Sequence, residues 1–276
     1  MNRNIQALLD ACKRLNIPHQ IHHKTNNLIS VVLNNQRYTF VNWTTPFNTH
    51  SVMKLCQDKD YFYSFYHDII RMPKTHSFLN PYSDSKYTHY LDSHTIYGII
   101  EQIEAEFTYP LIVKKNRGSW GTNVFKVENR RELEQGLLEI YSASSARSDY
   151  IGLAQEYIDV DVEYRAIFFL GKYQFAYKKI AGDTELTDNL SPLHSAGSKA
   201  EYVTDEGTKQ AICHFCAPLF DKLMIQFCGL DIAQDKAGHL WLIEANSSPG
   251  FDHIIRHEGD ELIIQLYEKM LKQLAQ

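Results

Sequence analysis

Near the C-terminus, Glu244-Ala245-Asn246-Ser247-Ser248-Pro249-Gly250 closes an apolar run, and Asp231 sits in the apolar run before it. Glu244 and Asn246 are two residues apart, so on an extended strand both side chains leave the same face. A hairpin joining 229–234 to 240–245 across Asp235-Lys236-Ala237-Gly238 brings the Asp231 carboxylate alongside them. Two carboxylates and an amide oxygen make a hard, all-oxygen donor set suited to Mg2+ carrying nucleotide phosphates. The bland alternative is a strand end running into a polar loop, with both acids merely hydrated. The spacing of all three favours the metal site.

Three further stretches carry polar chemistry. Residues 114–124 read as strand, glycine loop, strand, with Lys114 ending an apolar strand and Gly118 and Gly121 bracketing Ser119-Trp120. Such glycines let backbone N–H groups approach phosphate oxygens with no Cβ in the way, and Lys114 adds a point charge. The loop enters a strand and lacks Gly-Lys-Ser/Thr, so it is no Walker A loop; a simple hairpin turn would also use glycines there. Gln155-Glu156-Tyr157-Ile158, followed by Glu163 and Arg165, reads as an extended connector able to meet an adenine edge, with an acid in reach of ribose hydroxyls. Alone, Glu163 and Arg165 would be an ordinary surface ion pair of small worth. His194 lies in the aperiodic stretch 181–200 and is a candidate general base, against a solvent-facing loop histidine.

These residues need elements to hold them. The chain has 276 residues, 44% hydrophobic and 22% charged, with a net charge of −5, the profile of an ordinary globular protein with a sizeable core. That balance excludes a default nucleic-acid binder, and no apolar run is long enough to span a membrane. The N-terminal residues lead into an amphipathic stretch rather than a signal core, so a cytoplasmic location is expected. Five scattered cysteines fit reduced thiols. Cys213 and Cys216 form a CxxC, but they share helical spacing with Ile212, Phe215, Leu219 and Phe220 and read as buried helix residues.

Ile5, Leu8, Leu9 and Cys12 mark a helix face ending near Leu15. Strands at 28–33 and 37–43 form a hairpin. Asp58 caps a helix with apolar positions Phe62, Phe65, Tyr66, Ile69 and Ile70, which Pro73 stops. Asn129 and Glu132 open another through Tyr141. Strands at 164–170 and 173–179, a long helix over 206–227, the 229–245 hairpin and a helix from about Gly259 complete an α+β order with antiparallel hairpins.

In this order the features resemble the ATP-grasp superfamily, chiefly ribosomal-protein glutamate ligases and the ATP-grasp part of cyanophycin synthetases. D-alanine–D-alanine ligases and glutathione synthetases are more distant. The resemblance runs from about Met53 to Phe251 and is most specific over 244–251. It implies two α+β lobes gripping ATP: a shortened N-terminal helix-hairpin region 1–53, a central lobe 54–154 with the glycine-rich loop, and a C-terminal lobe 155–276 with the metal site.

By that resemblance, Lys59 of Asp58-Lys59 and Lys114 bind nucleotide phosphates, and Gly118, Ser119 and Gly121 close over them. Gln155, Glu156, Tyr157 and Ile158 hold adenine, and Glu163 holds ribose. Arg165, Lys179 and Asn189 surround the transferring phosphoryl group, and Asp231, Glu244 and Asn246 bind the metal. The implied cofactors are ATP and Mg2+ or Mn2+. The implied reaction is ADP-forming amide synthesis through an acyl phosphate, joining an amino-acid or peptide carboxylate to an amine; a phosphotransferase and a non-catalytic nucleotide-binding module are the alternatives. Two departures stand out. Ser191-Pro192-Leu193-His194-Ser195-Ala196-Gly197 replaces a Gly-Gly pair, and the short N-terminal region leaves part of the acceptor site to be supplied by a homodimer mate or a partner protein.

Overall fold

The computed structural model describes residues 3–118, 124–142, 149–182, 193 and 197–276. Ser119, Gly121, Asn189 and His194 lie outside the described residues. Helix α1 (Arg3–Arg14) buries Ile5, Leu8, Leu9 and Cys12, the face read from the sequence. Where the sequence suggests a hairpin, a three-stranded antiparallel sheet forms from β1 (His19–Ile21), β2 (Leu28–Leu33) and β3 (Gln36–Val41). β1 is three exposed residues long and gives no alternation to read. Asn34 and Asn35 turn β2 into β3 with φ of 48° and 62°, the left-handed pair that a two-residue hairpin loop needs.

A single helix was expected from Asp58 to Pro73. The structure has two, α2 (His50–Gln57) and α3 (Lys59–Tyr66), with Asp58 ending the first and capping the second. The Asp58 carboxylate accepts the Tyr61 N–H at 3.1 Å. Between Pro73 and Leu111, a stretch in which no element is read from the sequence, lie β4 (Thr75–Leu79), a 3-10 turn and α4 (Ile96–Glu106), which buries Ile96, Ile99, Ile100 and Ile103. With β5 (Leu111–Lys115), β6 (Val124–Val127), α5 (Arg130–Tyr141) and β7 (Ile151–Glu156), they build a four-stranded sheet of order β4-β7-β5-β6 with its own apolar core. α5 starts as expected: Asn129 Oδ1 accepts the Glu132 N–H at 3.1 Å, and the Glu132 carboxylate accepts the Glu128 N–H at 2.9 Å.

The third sheet orders β10 (Lys199–Tyr202), β9 (Lys172–Ile180), β8 (Val160–Phe169), β11 (Phe227–Asp235) and β12 (Leu240–Asn246). Alternation splits its residues between two cores. Tyr164, Ala166, Phe168, Leu230 and Ile232 face α2, α3 and α6 (Glu206–Lys222). Ile167, Phe169, Phe175, Tyr177 and Phe227 face α1, the N-terminal sheet, α7 (Asp252–Glu258) and α8 (Glu261–Leu274). α6 ends at Lys222, short of the expected 227, because Phe227 is already the first residue of β11. Cys216 is buried and Cys213 half-buried on α6, as the helical spacing implied. No helix among the described residues is long and apolar enough to cross a membrane.

Asn48 fixes the N-terminal region to this sheet. Its Nδ2 donates to the Phe227 carbonyl at 2.6 Å and the Ser247 carbonyl at 3.2 Å, and its Oδ1 accepts the Phe227 N–H at 3.2 Å. Replacing it leaves buried backbone groups without partners, so Asn48→Ala is expected to lower stability by roughly 2–3 kcal/mol in urea unfolding. A loss below about 0.5 kcal/mol would show that the clamp carries no weight.

Candidate functional site

A cavity of about 1100 Å³ opens between the central sheet and the five-stranded sheet. Every site residue read from the sequence that lies among the described residues borders it. The ends of β5 and β7 bring Lys114 and Gln155, the connector 157–158 brings Tyr157 and Ile158, and α3 brings Lys59. Glu156 also borders it, and its carboxylate accepts the Lys74 N–H at 3.0 Å. The five-stranded sheet brings Glu163, Arg165, Lys179, Asp231, Glu244 and Asn246.

Register sets the charge order. Asp231 lies directly across from Arg165 on β8 and Glu244 on β12, and Glu163 lies across from Lys179 on β9. Directly opposed residues share a face. A β-bulge decides which face Glu244 uses: Ile232 pairs with Leu242 while Asp231 pairs with Glu244, so Ile243 is an extra residue. Without it, Glu244 would follow Leu242 into the apolar core; with it, Glu244 and Asn246 face the cavity and Ala245 takes the core position.

Asp231 is buried and binds Arg165 through two hydrogen bonds of 2.6 Å, with Lys179 Nζ at 2.9 Å. Burial alone would raise its pKa, but Arg165 and Lys179 outweigh it and hold the carboxyl well below the usual range. Burial also opposes the charges on Arg165 and Lys179, yet the facing acids raise both. Glu163 pairs with Lys179, and burial nonetheless pushes its carboxyl up. Tyr177, directly across from Arg165, is fully buried beside it.

Lys114 is different. It is buried, and Nζ donates to Gln155 Oε1 at 2.8 Å, whose amide donates onward to Thr75 Oγ1 at 2.7 Å. Burial and then Lys59 push its pKa down to about 7, with Glu244 pulling weakly the other way. Lys59 Nζ sits 3.5 Å from Glu244 and donates to the Gly118 carbonyl at 2.9 Å. Glycine suits position 118, where φ is 147°, a backbone conformation that L side chains rarely adopt.

Glu244, Asn246 and Asp231 fit a hard cation by donor chemistry. Asn246 Nδ2 donates to Glu244 Oε1 at 3.2 Å, which leaves the amide oxygen for another partner. Among the described residues no three His, Cys, Asp or Glu side chains converge as a metal set, so two acids plus this amide are the donors present. Arg165 and Lys179 already hold both Asp231 oxygens.

The sequence pattern of the RimK-like ATP-grasp domain matches residues 85–270. The chain belongs to this family. The RimK-like chain has the ATP-grasp fold and is similar to three solved structures in particular. The bifunctional glutathione synthetase from Pasteurella multocida gives a TM-score of 0.57 at 14% identity, covering 98% of this chain and 44% of that one. The ATP-grasp ligase PsnB complexed with minimal precursor gives 0.57 at 14%, covering 82% and 64%. The VanG D-Ala:D-Ser ligase from Enterococcus faecalis gives 0.55 at 18%, covering 77% and 62%. The chain thus spans less than two thirds of each of these proteins. No curated protein matches it.

Sequence reasoning missed Trp43, Asp252 and His253, which wall one end of the cavity. Trp43 reads as the end of a surface strand, and nothing local ties it to Gly250, more than 200 positions away.

The Lys114 shift has a sign that can be measured. The unfolded chain keeps this proton up to about 10.5 while the folded chain releases it near 7, so stability rises with pH through that window. The stability of wild type minus that of Lys114→Met is therefore expected to climb between pH 7 and 10 in parallel denaturation series. A flat difference would show that Lys114 is not desolvated.

Proposed function

We propose that this RimK-like ATP-grasp chain is an ADP-forming carboxylate–amine ligase using ATP and Mg2+ or Mn2+. The single observation that carries the reading is the convergence, in one cavity, of buried cations and an oxygen donor set on the same sheet face. ATP binds with adenine along 155–158, the acid Glu163 near the ribose, and the phosphates toward Lys59, Lys114 and Gly118. Asn189, with Arg165 and Lys179, serves the reacting groups, and Ser119 and Gly121 belong to the phosphate-covering loop.

Asp231, Glu244 and Asn246 hold the divalent cation, which when bound neutralises phosphate charge. The residues' own work is positioning and charge compensation. A carboxylate oxygen of the first substrate takes the γ-phosphoryl group, releasing ADP and leaving an acyl phosphate. The amine of the second substrate then attacks the acyl carbon, and phosphate leaves. Arg165 and Lys179 are poised for this because bound phosphate oxygens compete with Asp231 for them, freeing carboxylate oxygens as negative charge arrives. Lys59 stands in the same relation to Glu244.

Small-molecule and peptide carboxylates and amines are the substrate class, a reading supported by the likeness to the VanG D-Ala:D-Ser ligase and to the ATP-grasp ligase PsnB complexed with minimal precursor. The test is ADP release on a panel of amino acids and short peptides, with mass spectrometry of adducts. ADP and phosphate formed only with both carboxylate and amine present support ligation; ADP formed with a hydroxyl acceptor alone refutes it. Glu244→Ala and Lys114→Ala are expected to cut turnover by at least about 100-fold in folded protein. Wild-type turnover in folded Glu244→Ala would refute the metal assignment.

Phosphate binding also favours charged Lys114, so binding above pH 7 draws in a proton. ADP with Mg2+ is expected to bind more weakly from pH 7 to 9, with proton uptake of about one in calorimetry across buffers of different ionisation heat. Lys114→Met removes that uptake. Uptake unchanged in the variant would assign the proton elsewhere.

A further inference from the structure

The cavity, at about 1100 Å³, exceeds the roughly 300–1,000 Å³ of a typical small-molecule site. One end is the connector 155–158 with Pro73. The opposite end, past Asn246, is walled by Trp43, Pro249, Gly250, Asp252 and His253. None of these belongs to the nucleotide set.

Trp43 is brought there by the N-terminal region. Thr44 Oγ1 lies 3.3 Å from Ser248 Oγ, and Asn48 donates to the Ser247 carbonyl at 3.2 Å. The indole lies against Gly250, where a Cβ would come within 3.5 Å of Nε1. Nε1 is buried with no hydrogen-bond acceptor among the described residues. A phenylalanine in the same slot would leave no such donor unpaired. Asp252, on the same wall, is half-buried, and its carboxylate has no hydrogen bond or ion pair with another described residue. Of the other cavity acids, Glu163, Asp231 and Glu244 each have a lysine or arginine partner, while Glu156 and Asp161 are exposed at the connector end, Glu156 accepting the Lys74 backbone N–H.

An indole and a carboxylate without an ion-pair partner among the described residues, lining the same cavity, suit an organic cation. An ammonium is attracted to the ring face and makes charge-assisted hydrogen bonds to the acid. We propose that this end is the acceptor subsite and that Trp43 and Asp252 recognise the α-ammonium of the amine substrate, from a free amino acid or a peptide N-terminus. The word acceptor rests on the ligase reading; recognition of an ammonium does not. The chain's own N-terminal region, rather than a partner, then supplies this wall.

The test uses full-length protein labelled with 5-fluorotryptophan, the Trp43 19F resonance being assigned by its loss in Trp43→Phe. The probes are the twenty L-amino acids and trialanine, with N-acetyl-trialanine as the control lacking an ammonium. The expected result is a saturable shift of the Trp43 resonance with at least one free-amine probe, none with the acetylated peptide, and at least tenfold weaker binding in Asp252→Asn. Response to amino acids without trialanine assigns a free amino acid, and the reverse assigns a peptide N-terminus. The proposal is overturned if no free-amine probe moves the resonance, if the acetylated peptide moves it equally, or if Asp252→Asn binds as tightly as wild type. Thermal stabilisation by ADP with Mg2+ is measured on the same wild-type sample. Its absence beside a persisting amine response overturns the nucleotide reading alone and leaves the ammonium site standing.

Discussion

The structure turns on a buried carboxylate that three neighbouring strands must keep compensated. Asp231 on β11 faces Arg165 on β8, with Lys179 of β9 closing on the same group. Removing such charges from water is expensive, and the attraction offsets that expense only where geometry is fixed. The strands supply the fixing. β8 and β11 are inner strands of the sheet, and their alternate residues are locked into apolar cores on both sides. The cluster is therefore poor evidence of stability but strong evidence of purpose. A sheet selected for stability alone would carry apolar residues there at less cost.

The same sheet face changes character along its length. On β8 it runs from Glu163 and Arg165 to Ile167 and Phe169; on β9 it runs from Lys179 to Phe175; on β11, from Asp231 to Phe227. One end of each strand meets the cavity while the other meets the N-terminal layer. Gly229 stands near the boundary, and a Cβ there would press within 2.9 Å of Pro249 Cβ. That small residue lets the loop after β12 settle against the sheet, which in turn sets Gly250 under Trp43. Cavity, loop and N-terminal region are thus consequences of one packing problem.

What could be read beforehand follows from range. Asp231, Glu244 and Asn246 were legible because spacing on a hairpin is local arithmetic, and Asp58 was legible as a cap because a cap is chemically local. The bulge at Ile243 was not: Leu240–Ile243 reads as a continuous apolar run, and only pairing with β11 exposes the extra residue. α4 was missed although Thr95 caps it and Ile96, Ile99, Ile100 and Ile103 keep helical spacing; β4 went unread because it is five residues long. The third N-terminal strand was invisible for a like reason. Trp43 needed a contact across the whole chain, and no local pattern encodes one. The depressed Lys114 pKa likewise depends on burial, which a residue's neighbours in sequence do not reveal.

The two sides of the cavity are joined by contacts of unequal strength. At one side Lys59 touches the Gly118 carbonyl and Glu244, bonds that water or a phosphate can replace. Beside it, Arg117 makes hydrogen bonds of 3.1 and 2.9 Å to Asp58, whose carboxylate is almost fully buried while it also caps α3. Breaking that pair would strand a buried charge on the carboxylate that caps α3, whereas releasing Lys59 strands no buried charge. Arg117 therefore ties the root of the glycine loop to the start of α3, so that Gly118 and Lys59 keep their relation to one another. Any adjustment on the arrival of phosphate falls first to the lysine side chain, whose four-carbon stem can turn without disturbing either sheet.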